Sequence, residues 1–166
     1  MVRLRKWEMD DAPALARMAN NKNISDNLRD RFPHPYTIED AVEFIKIATS
    51  GDSGEEIFAI EVDGKPVGTI GAIFGSDIYR INAEIGYWIG EEYWNRGIAS
   101  AAIKKFTSYI FENYDIERIY AECFTDNLAS QRSLEKSGFR QEAILRRNII
   151  KNGVIKDSMI YSMLRS

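Results

Sequence analysis

The repeat of apolar and polar positions changes period several times along the chain, and each change marks an element. Val2 to Lys6 alternates as a short strand does. Leu15, Met18 and Ala19 then share one side of a 3.6-residue repeat. This predicts a helix through Asn20, with Asp10 or Asp11 as its cap. Asn23 to Pro35 keeps neither period and reads as irregular. Within it, Phe32-Pro33-His34-Pro35-Tyr36 cannot be helical, because each proline restricts the residue before it. Thr37 opens a second helix: its hydroxyl can accept an amide one turn on, and Glu39 and Asp40 suit the positive helix start. Ala41, Phe44, Ile45 and Ala48 carry that helix to the breaker run Ser50-Gly51-Asp52-Ser53-Gly54.

Strands follow. Ile57 to Val62 and Val67 to Phe74 flank Asp63-Gly64, a two-residue hairpin turn. Gly75-Ser76-Asp77 turns again before a strand from Ile81 to Ile89. Gly97 to Asn113 is a helix with Ile98, Ala102, Ile103, Phe106, Tyr109 and Ile110 on its apolar face. Arg118 to Phe124 is a strand. Asn127 to Ser137 is a short helix stopped by Gly138, which suits a left-handed position. Phe139 to Ile150 and Val154 to Leu164 are strands joined by Asn152-Gly153. The order β-α-α-β-β-β-α-β-α-β-β implies a mixed sheet with helices packed on it, α/β or α+β in class.

Composition narrows this further. A chain of 166 residues fits one domain, 1–166, able to bury roughly 70% of its unfolded surface. Hydrophobic residues at 45% and charged residues at 28% are the balance of a globular protein. One Cys and one His exclude an intrachain disulfide and a His/Cys metal cage, so no metal is expected. A net charge of −3 argues against a duplex-binding surface, and no nucleic-acid partner is expected. The longest stretch without a charge, Pro66 to Ser76, is far short of a membrane span. Basic residues in Met1 to Lys6 precede no apolar run, so the expected address is the cytosol, with no membrane partner.

Two segments carry candidate chemistry. In Glu84-Ile85-Gly86-Tyr87-Trp88-Ile89-Gly90-Glu91-Glu92-Tyr93-Trp94-Asn95-Arg96-Gly97-Ile98-Ala99-Ser100 a strand runs through a tight loop into a helix. The first amides of that helix lack internal partners and the dipole adds positive charge, which makes a cradle for phosphate. Gly97, Ala99 and Ser100 keep the approach free of bulk, and Arg96 can add a charged contact. Neither G-x-G-x-x-G nor a P-loop is present. A plain strand-to-helix turn remains the competing reading. In the second segment, Asn127 to Phe139, Asn127 and Ser130 share one side of the first helical turn after a strand end. Helix capping by Asp126 or Asn127 would explain the same residues without a ligand.

Together these segments resemble the GNAT superfamily of acyl-CoA-dependent N-acyltransferases, and within it the RimJ/RimL-like branch. The resemblance rests on Leu28-Arg29-Asp30-Arg31-Phe32-Pro33-His34-Pro35-Tyr36-Thr37, Ile85-Gly86-Tyr87-Trp88, Tyr93-Trp94-Asn95-Arg96-Gly97-Ile98-Ala99, Asn127-Leu128-Ala129-Ser130 and Glu135-Lys136-Ser137-Gly138-Phe139, with Gly153 and Asp157 beyond. It spans essentially the whole chain. It implies a GNAT-type mixed, mostly antiparallel sheet flanked by helices, and acetyl-CoA as cosubstrate.

Residue by residue, the resemblance implies that Trp94, Asn95, Arg96, Gly97, Ile98, Ala99 and Ser100 hold the coenzyme diphosphate. Many members have Gln or Arg where this chain has Trp94. Trp88 and Ile89 would pair with the pantetheine arm and polarise the thioester carbonyl. Asn127 would bond the pantetheine, Ser130 would lie near the sulfur, and Arg132 would reach the phosphates. Glu84 is the expected base for removing the ammonium proton. Relatives use a Tyr in the last helix as the acid. Leu134 stands there, so Ser130 is the substitute. His34 reads as a loop residue and Cys123 as a small core residue.

The acceptor implied is a primary amine on a small molecule or a peptide, such as a protein N-terminal α-amine. A polyamine is the nearest rival. A non-catalytic CoA-binding regulatory module is the reading from a different class, favoured by Leu134. A homodimer stays open.

Overall fold

The computed structural model describes residues 1–166. Seven strands form one sheet in the order β1-β2-β3-β4-β5-β7-β6. They are β1 (Val2–Arg5), β2 (Glu55–Val62), β3 (Lys65–Phe74), β4 (Asn82–Ile89), β5 (Arg118–Phe124), β6 (Arg140–Lys151) and β7 (Val154–Leu164). Every neighbouring pair is antiparallel except β4–β5, which is parallel. The helices are α1 (Ala12–Ala19), α2 (Lys22–Ser25), α3 (Ile38–Ser50), α4 (Ile98–Asn113) and α5 (Leu128–Lys136). The expected class and strand pattern therefore hold, and both two-residue turns close their hairpins.

Two apolar clusters lie on opposite faces of the sheet. Ile103, Phe106 and Ile110 of α4 and Leu134 of α5 pack on Ile70, Ile85, Ile119 and Tyr161. On the other face, Leu15 of α1 and Ile45 of α3 pack on Ile57 and Ala59 beside Trp7 and Tyr36. Alternation along β5 serves this arrangement. Ile119, Ala121 and Cys123 are buried toward α4, and Arg118, Tyr120, Glu122 and Phe124 point the other way.

Local differences from the sequence reading have local causes. Residues 22–25 form a helical turn rather than irregular chain, because the Asn21 side chain accepts the Asn23 amide (2.8 Å). A single turn leaves no apolar period to read. A 3-10 turn, Met9–Asp11, precedes α1. Asp11 does not cap α1 with its side chain. It accepts the Glu8 amide (3.0 Å) and both guanidinium nitrogens of Arg5 (2.7 and 2.9 Å). β2 starts two residues early, at Glu55, since the pairing partners Ile73 and Ala72 on β3 continue that far.

Thr37 caps α3 as expected. Its hydroxyl accepts the Asp40 amide (3.2 Å) and the Asp40 carboxylate accepts the Thr37 amide (2.8 Å). Thr37→Ala should cost about 1 kcal/mol. The midpoint of thermal unfolding should then fall by about 2–4 °C.

At the end of α5 the Phe139 amide donates to the Leu134 carbonyl (3.1 Å) and the Gly138 amide to that of Glu135 (3.0 Å). Gly138 is left-handed at φ 95°. This is a Schellman motif, and its characteristic apolar contact joins the buried residues Leu134 and Phe139. Leu134 is therefore a core residue that locks the helix end.

Candidate active site

β4 and β5 pair in parallel only from Asn82↔Arg118 to Glu84↔Tyr120, and beyond that they splay. Hydrogen-bond phase decides which groups face the opening. At one end of the β3–β4 ladder the Gly75 amide donates to the Asn82 carbonyl (2.9 Å), and at the other the Gly90 amide donates to that of Val67 (2.8 Å). Bonded pairs alternate along an antiparallel ladder. Glu84, Gly86 and Trp88 therefore spend their main-chain groups on β3, and Ile85, Tyr87 and Ile89 turn theirs toward the β5 side. The expectation for Trp88 needs correction: its main-chain groups lie opposite Thr69 of β3, whereas those of Tyr87 turn toward the β5 side. The Trp88 ring instead lies edge-on to Phe32, with centroids 5.7 Å apart, and so seats the loop before α3 on the sheet.

The loop after β4 contains a 3-10 turn, Glu91–Tyr93, and two residues in the left-handed region, Asn95 at φ 60° and Gly97 at φ 72°. Gly97 is the N-cap of α4 and provides no side-chain cap, and the first turn holds no acidic residue. The amides of Ile98, Ala99 and Ser100 thus stand at the positive end of a 16-residue helix without an intrahelical partner. A Cβ on Gly97 would meet nothing within 4 Å, so the space before the amides is open. Uncapped amides behind a left-handed loop fit a diphosphate.

The side chains of this loop brace it. The Trp94 indole donates to the Ile89 carbonyl (2.7 Å), the last acceptor of β4 facing the opening. Arg96 donates to the Glu92 carbonyl (2.8 Å) and lies over the Tyr93 ring, 5.5 Å from its centroid. The Ser100 hydroxyl donates to the Gly97 carbonyl (3.1 Å).

Across the opening, Asn127 caps α5, its carbonyl oxygen accepting the Ser130 amide (3.2 Å). Its role is thus partly the capping one. The Ser130 hydroxyl lies 2.8 Å from the Tyr87 hydroxyl, a contact that joins β4 to α5. Tyr87 also donates toward the Ser130 carbonyl (3.3 Å). Burial pushes the Tyr87 phenol well above its ordinary range, so it stays a proton carrier at every working pH. Sequence reasoning missed this side chain; its position in the strand pattern was visible, its partner was not. Burial also pushes the Cys123 thiol up, to about 11, despite a hydrogen bond with Ser130, which leaves it a poor nucleophile. Arg132 is exposed on α5 and pairs with no other side chain.

Glu84 is ion-paired with Arg29 of the loop after α2, on the face opposite α4. His34 is exposed in the same loop. That loop is tied to the β6–β7 hairpin by Lys151–Asp30 and Asn152–Asp26, each 2.9 Å. No three His, Cys, Asp or Glu gather as a metal ion would need, and no helix is long and apolar enough to cross a membrane.

Residues 2–140 match the acetyltransferase (GNAT) domain family. The chain belongs to that family. Among relatives of this GNAT protein is the Bacillus subtilis (strain 168) uncharacterized N-acetyltransferase YoaA, 43% identical over 99 residues. That match covers 60% of this chain and 55% of YoaA, so the chain spans about half the length of this relative. The structure of the microcin C7 self-immunity acetyltransferase MccE, in complex with acetyl-CoA and AMP, superposes with a TM-score of 0.85 at 27% identity. The match covers 99% of this chain and 92% of MccE. The ribosomal L7/L12 α-N-protein acetyltransferase RimL, in complex with coenzyme A, shares the fold at a TM-score of 0.86 and 22% identity. It is covered over 93% of its length by 98% of this chain.

Proposed function

We propose that this GNAT protein is an acetyl-CoA-dependent N-acetyltransferase whose acceptor is a primary amine, in the first instance a protein N-terminal α-amine. The observation that carries the reading is the splay of β4 from β5 directly beside the uncapped start of α4. A sheet edge inside the fold and an anion cradle lie end to end, as a nucleotide diphosphate with an extended arm requires.

The cradle amides of Ile98, Ala99 and Ser100 bind the diphosphate, with Asn95 and Gly97 shaping the approach and Arg96 at its rim. Trp94 fixes the loop to the end of β4. Tyr87 and Ile89 offer main-chain groups along the opening, where a strand-like arm aligns, and Asn127 borders it from α5. Acetyl-CoA supplies an acetyl group activated as a thioester. An amide turned into the opening polarises its carbonyl, as in an oxyanion hole. Ser130 faces the leaving sulfur as a hydrogen-bond donor. The Tyr87 and Ser130 hydroxyls are hydrogen-bonded 2.8 Å apart, so Tyr87 positions the serine hydroxyl beside the opening.

The acceptor enters from the opposite face, between the loop and hairpin joined by Lys151–Asp30 and Asn152–Asp26. That bounded entry suits the end of a chain. An α-amine, with a reference pKa of about 8, also arrives partly neutral at pH 7, which lightens the demand on the base.

Thiol release from acetyl-CoA tests the reading with three probes: an N-terminal serine hexapeptide, the same peptide N-blocked with an internal lysine, and spermidine. The free N-terminus is expected to give the largest kcat/KM. Preference for spermidine would move the acceptor to polyamines. Tight acetyl-CoA binding with no amine-dependent release would make the protein a binding module.

A further inference from the structure

The geometry points to the cavity at the closed end of β4–β5 as the seat for a basic side chain on the second residue of the acceptor, with Glu84 as the carboxylate that holds it. The inference deepens the acceptor reading above and rests on it. Glu84 then recognises the substrate and is not the base. The cavity measures about 350 Å³, and Ile73, Tyr79, Asn82, Glu84, Arg118 and Tyr120 line it. Strand register brings them together. Asn82↔Arg118 and Glu84↔Tyr120 are direct partners in the parallel ladder, so these four side chains share the face opposite α4. Ile73, the partner of Glu84 on β3, joins them.

The free valence of this cavity is negative. Arg118 is spent: its guanidinium donates to Asn82 (3.2 Å) and to Glu142, and it lies over the Tyr120 ring, 4.7 Å from the centroid. One oxygen of Glu84 accepts Arg29, and the other has no hydrogen-bond partner. Arg29 is the loose member of that pair, its side chain 55% exposed against 20% for Glu84. An ion pair with so exposed a partner contributes little. A cation carried by the acceptor therefore exchanges with Arg29 at small cost. An acidic side chain would meet Glu84 with no free cation on the cavity wall.

Neighbouring groups agree. Glu122, two residues along β5 from Tyr120, adds negative charge on the same face. It accepts the Asn148 side-chain amide (2.9 Å), which comes from the break in β6–β7 register between Leu145 and Ile149. Tyr79 stands at the cavity mouth, 67% exposed, although neither apolar cluster includes it. A 3-10 turn, Asp77–Tyr79, holds it there. The Asn82 side-chain amide donates to the Tyr79 carbonyl (3.2 Å), and Arg80 donates to the Asp77 carbonyl (2.9 Å). An aromatic face attracts an ammonium or guanidinium, and Ile73 offers an apolar wall for its methylene stem.

The loop that bounds the acceptor's entrance reaches the same cavity. Asp26 and Asp30 tie it to the β6–β7 hairpin, and Arg29 between them pairs with Glu84. The reacting amine stands at the splay, level with Gly86 and Tyr87. That is about 7–10 Å from Glu84, at about 3.3 Å per strand residue. A Cβ on Gly86 would meet nothing within 4 Å, so the path between them is clear. The first side chain of the acceptor starts on the amine-bearing carbon and goes into the opening with it. The second starts about 3.8 Å back along the chain, and a flexible lysine stem spans the rest.

The test measures acetyl transfer to hexapeptides with free N-termini, identical except for lysine, alanine or glutamate as the second residue. Each variant is read as a ratio of kcat/KM between peptides, in which changes in folded fraction, coenzyme affinity and proton transfer cancel. Wild type should prefer lysine to alanine by about 10-fold, and alanine to glutamate. Glu84→Gln should bring the lysine-to-alanine ratio down to about 1–2, and Glu84→Lys should place glutamate first. Arg29→Ala removes the internal competitor and should raise the lysine-to-alanine ratio about 3-fold. A proton-accepting Glu84 would instead slow all three peptides alike in Glu84→Gln and keep the ratio. A lysine preference that survives Glu84→Gln overturns the assignment. So does a wild-type ratio below about 2, or a fall in the ratio in Arg29→Ala. Failure of the wild-type protein to acetylate any of the three peptides would overturn the acceptor reading beneath the proposal instead.

Discussion

Gly97→Glu should weaken acetyl-CoA binding at least about 100-fold while the domain stays folded. The φ of 72° at Gly97 costs any L-residue about 1–2 kcal/mol. That is a loss of a few degrees in the unfolding midpoint. No further steric cost follows, because the added Cβ meets nothing within 4 Å. The new carboxylate stands where the uncapped amides of α4 face an anion. At an effective dielectric of about 20 and about 5 Å, each pair of like unit charges costs about 3 kcal/mol. That slightly exceeds the roughly 2.7 kcal/mol needed for a 100-fold loss. Gly97→Ala carries the same backbone strain without the charge, so it should keep most of the affinity. Titration calorimetry with acetyl-CoA distinguishes the two. Equal affinities for wild type and Gly97→Glu would remove the diphosphate from this loop.

Ser130→Ala should lower kcat by about 10- to 100-fold and leave acetyl-CoA affinity nearly unchanged, since its hydroxyl serves the leaving sulfur more than the bound coenzyme. Tyr87→Phe removes the hydroxyl 2.8 Å away and keeps the ring. Because Tyr87 acts through Ser130, the two losses should not add. The double variant should match Ser130→Ala, a coupling that independent contributions exclude. The pH profile gives a second readout. Burial raises the Tyr87 pKa, so its neutral, donating form persists beyond the ordinary titration near 10. The Tyr87→Phe deficit should be flat from pH 6 to about 10. A step in that window would mean that the hydroxyl titrates and works another way. Equal losses of kcat and of coenzyme affinity in Ser130→Ala would reduce the serine to a binding contact.

Much of the site was legible from local spacing. The cradle at Asn95 to Ser100 is a strand, a tight loop and a helix start in succession, and a helix end leaves its amides unpaired wherever it forms. Asn127 and Ser130 are three residues apart and meet by helical geometry alone. The sequence Leu134-Glu135-Lys136-Ser137-Gly138-Phe139 also carries its own explanation. An apolar residue four before the glycine and another just after it are the contact pair of a Schellman stop, so leucine in place of tyrosine there is a packing choice.

The contacts that turn this frame toward chemistry were not legible. Trp88 and Tyr87 are adjacent, and only pairing phase tells which one has main-chain groups free; a shift of one residue would exchange them. Glu84 is the expected base by its place on β4, and no local pattern shows that Arg29, 55 positions earlier, pairs with it. Asn148 reaches Glu122 through a bulge, a feature with no periodic signature.

The sequence by itself determined the class of fold, the order of its strands and longer helices, the two hairpin turns and the loop that opens α4 at Gly97. Each depends on interactions within a few residues, where spacing and backbone propensity suffice. Tertiary structure alone decided where β4 parts from β5, which amides face that gap, and which carboxylate is ion-paired and which is not. Those outcomes depend on register and on partners distant in sequence, and such pairing leaves no mark in local periodicity.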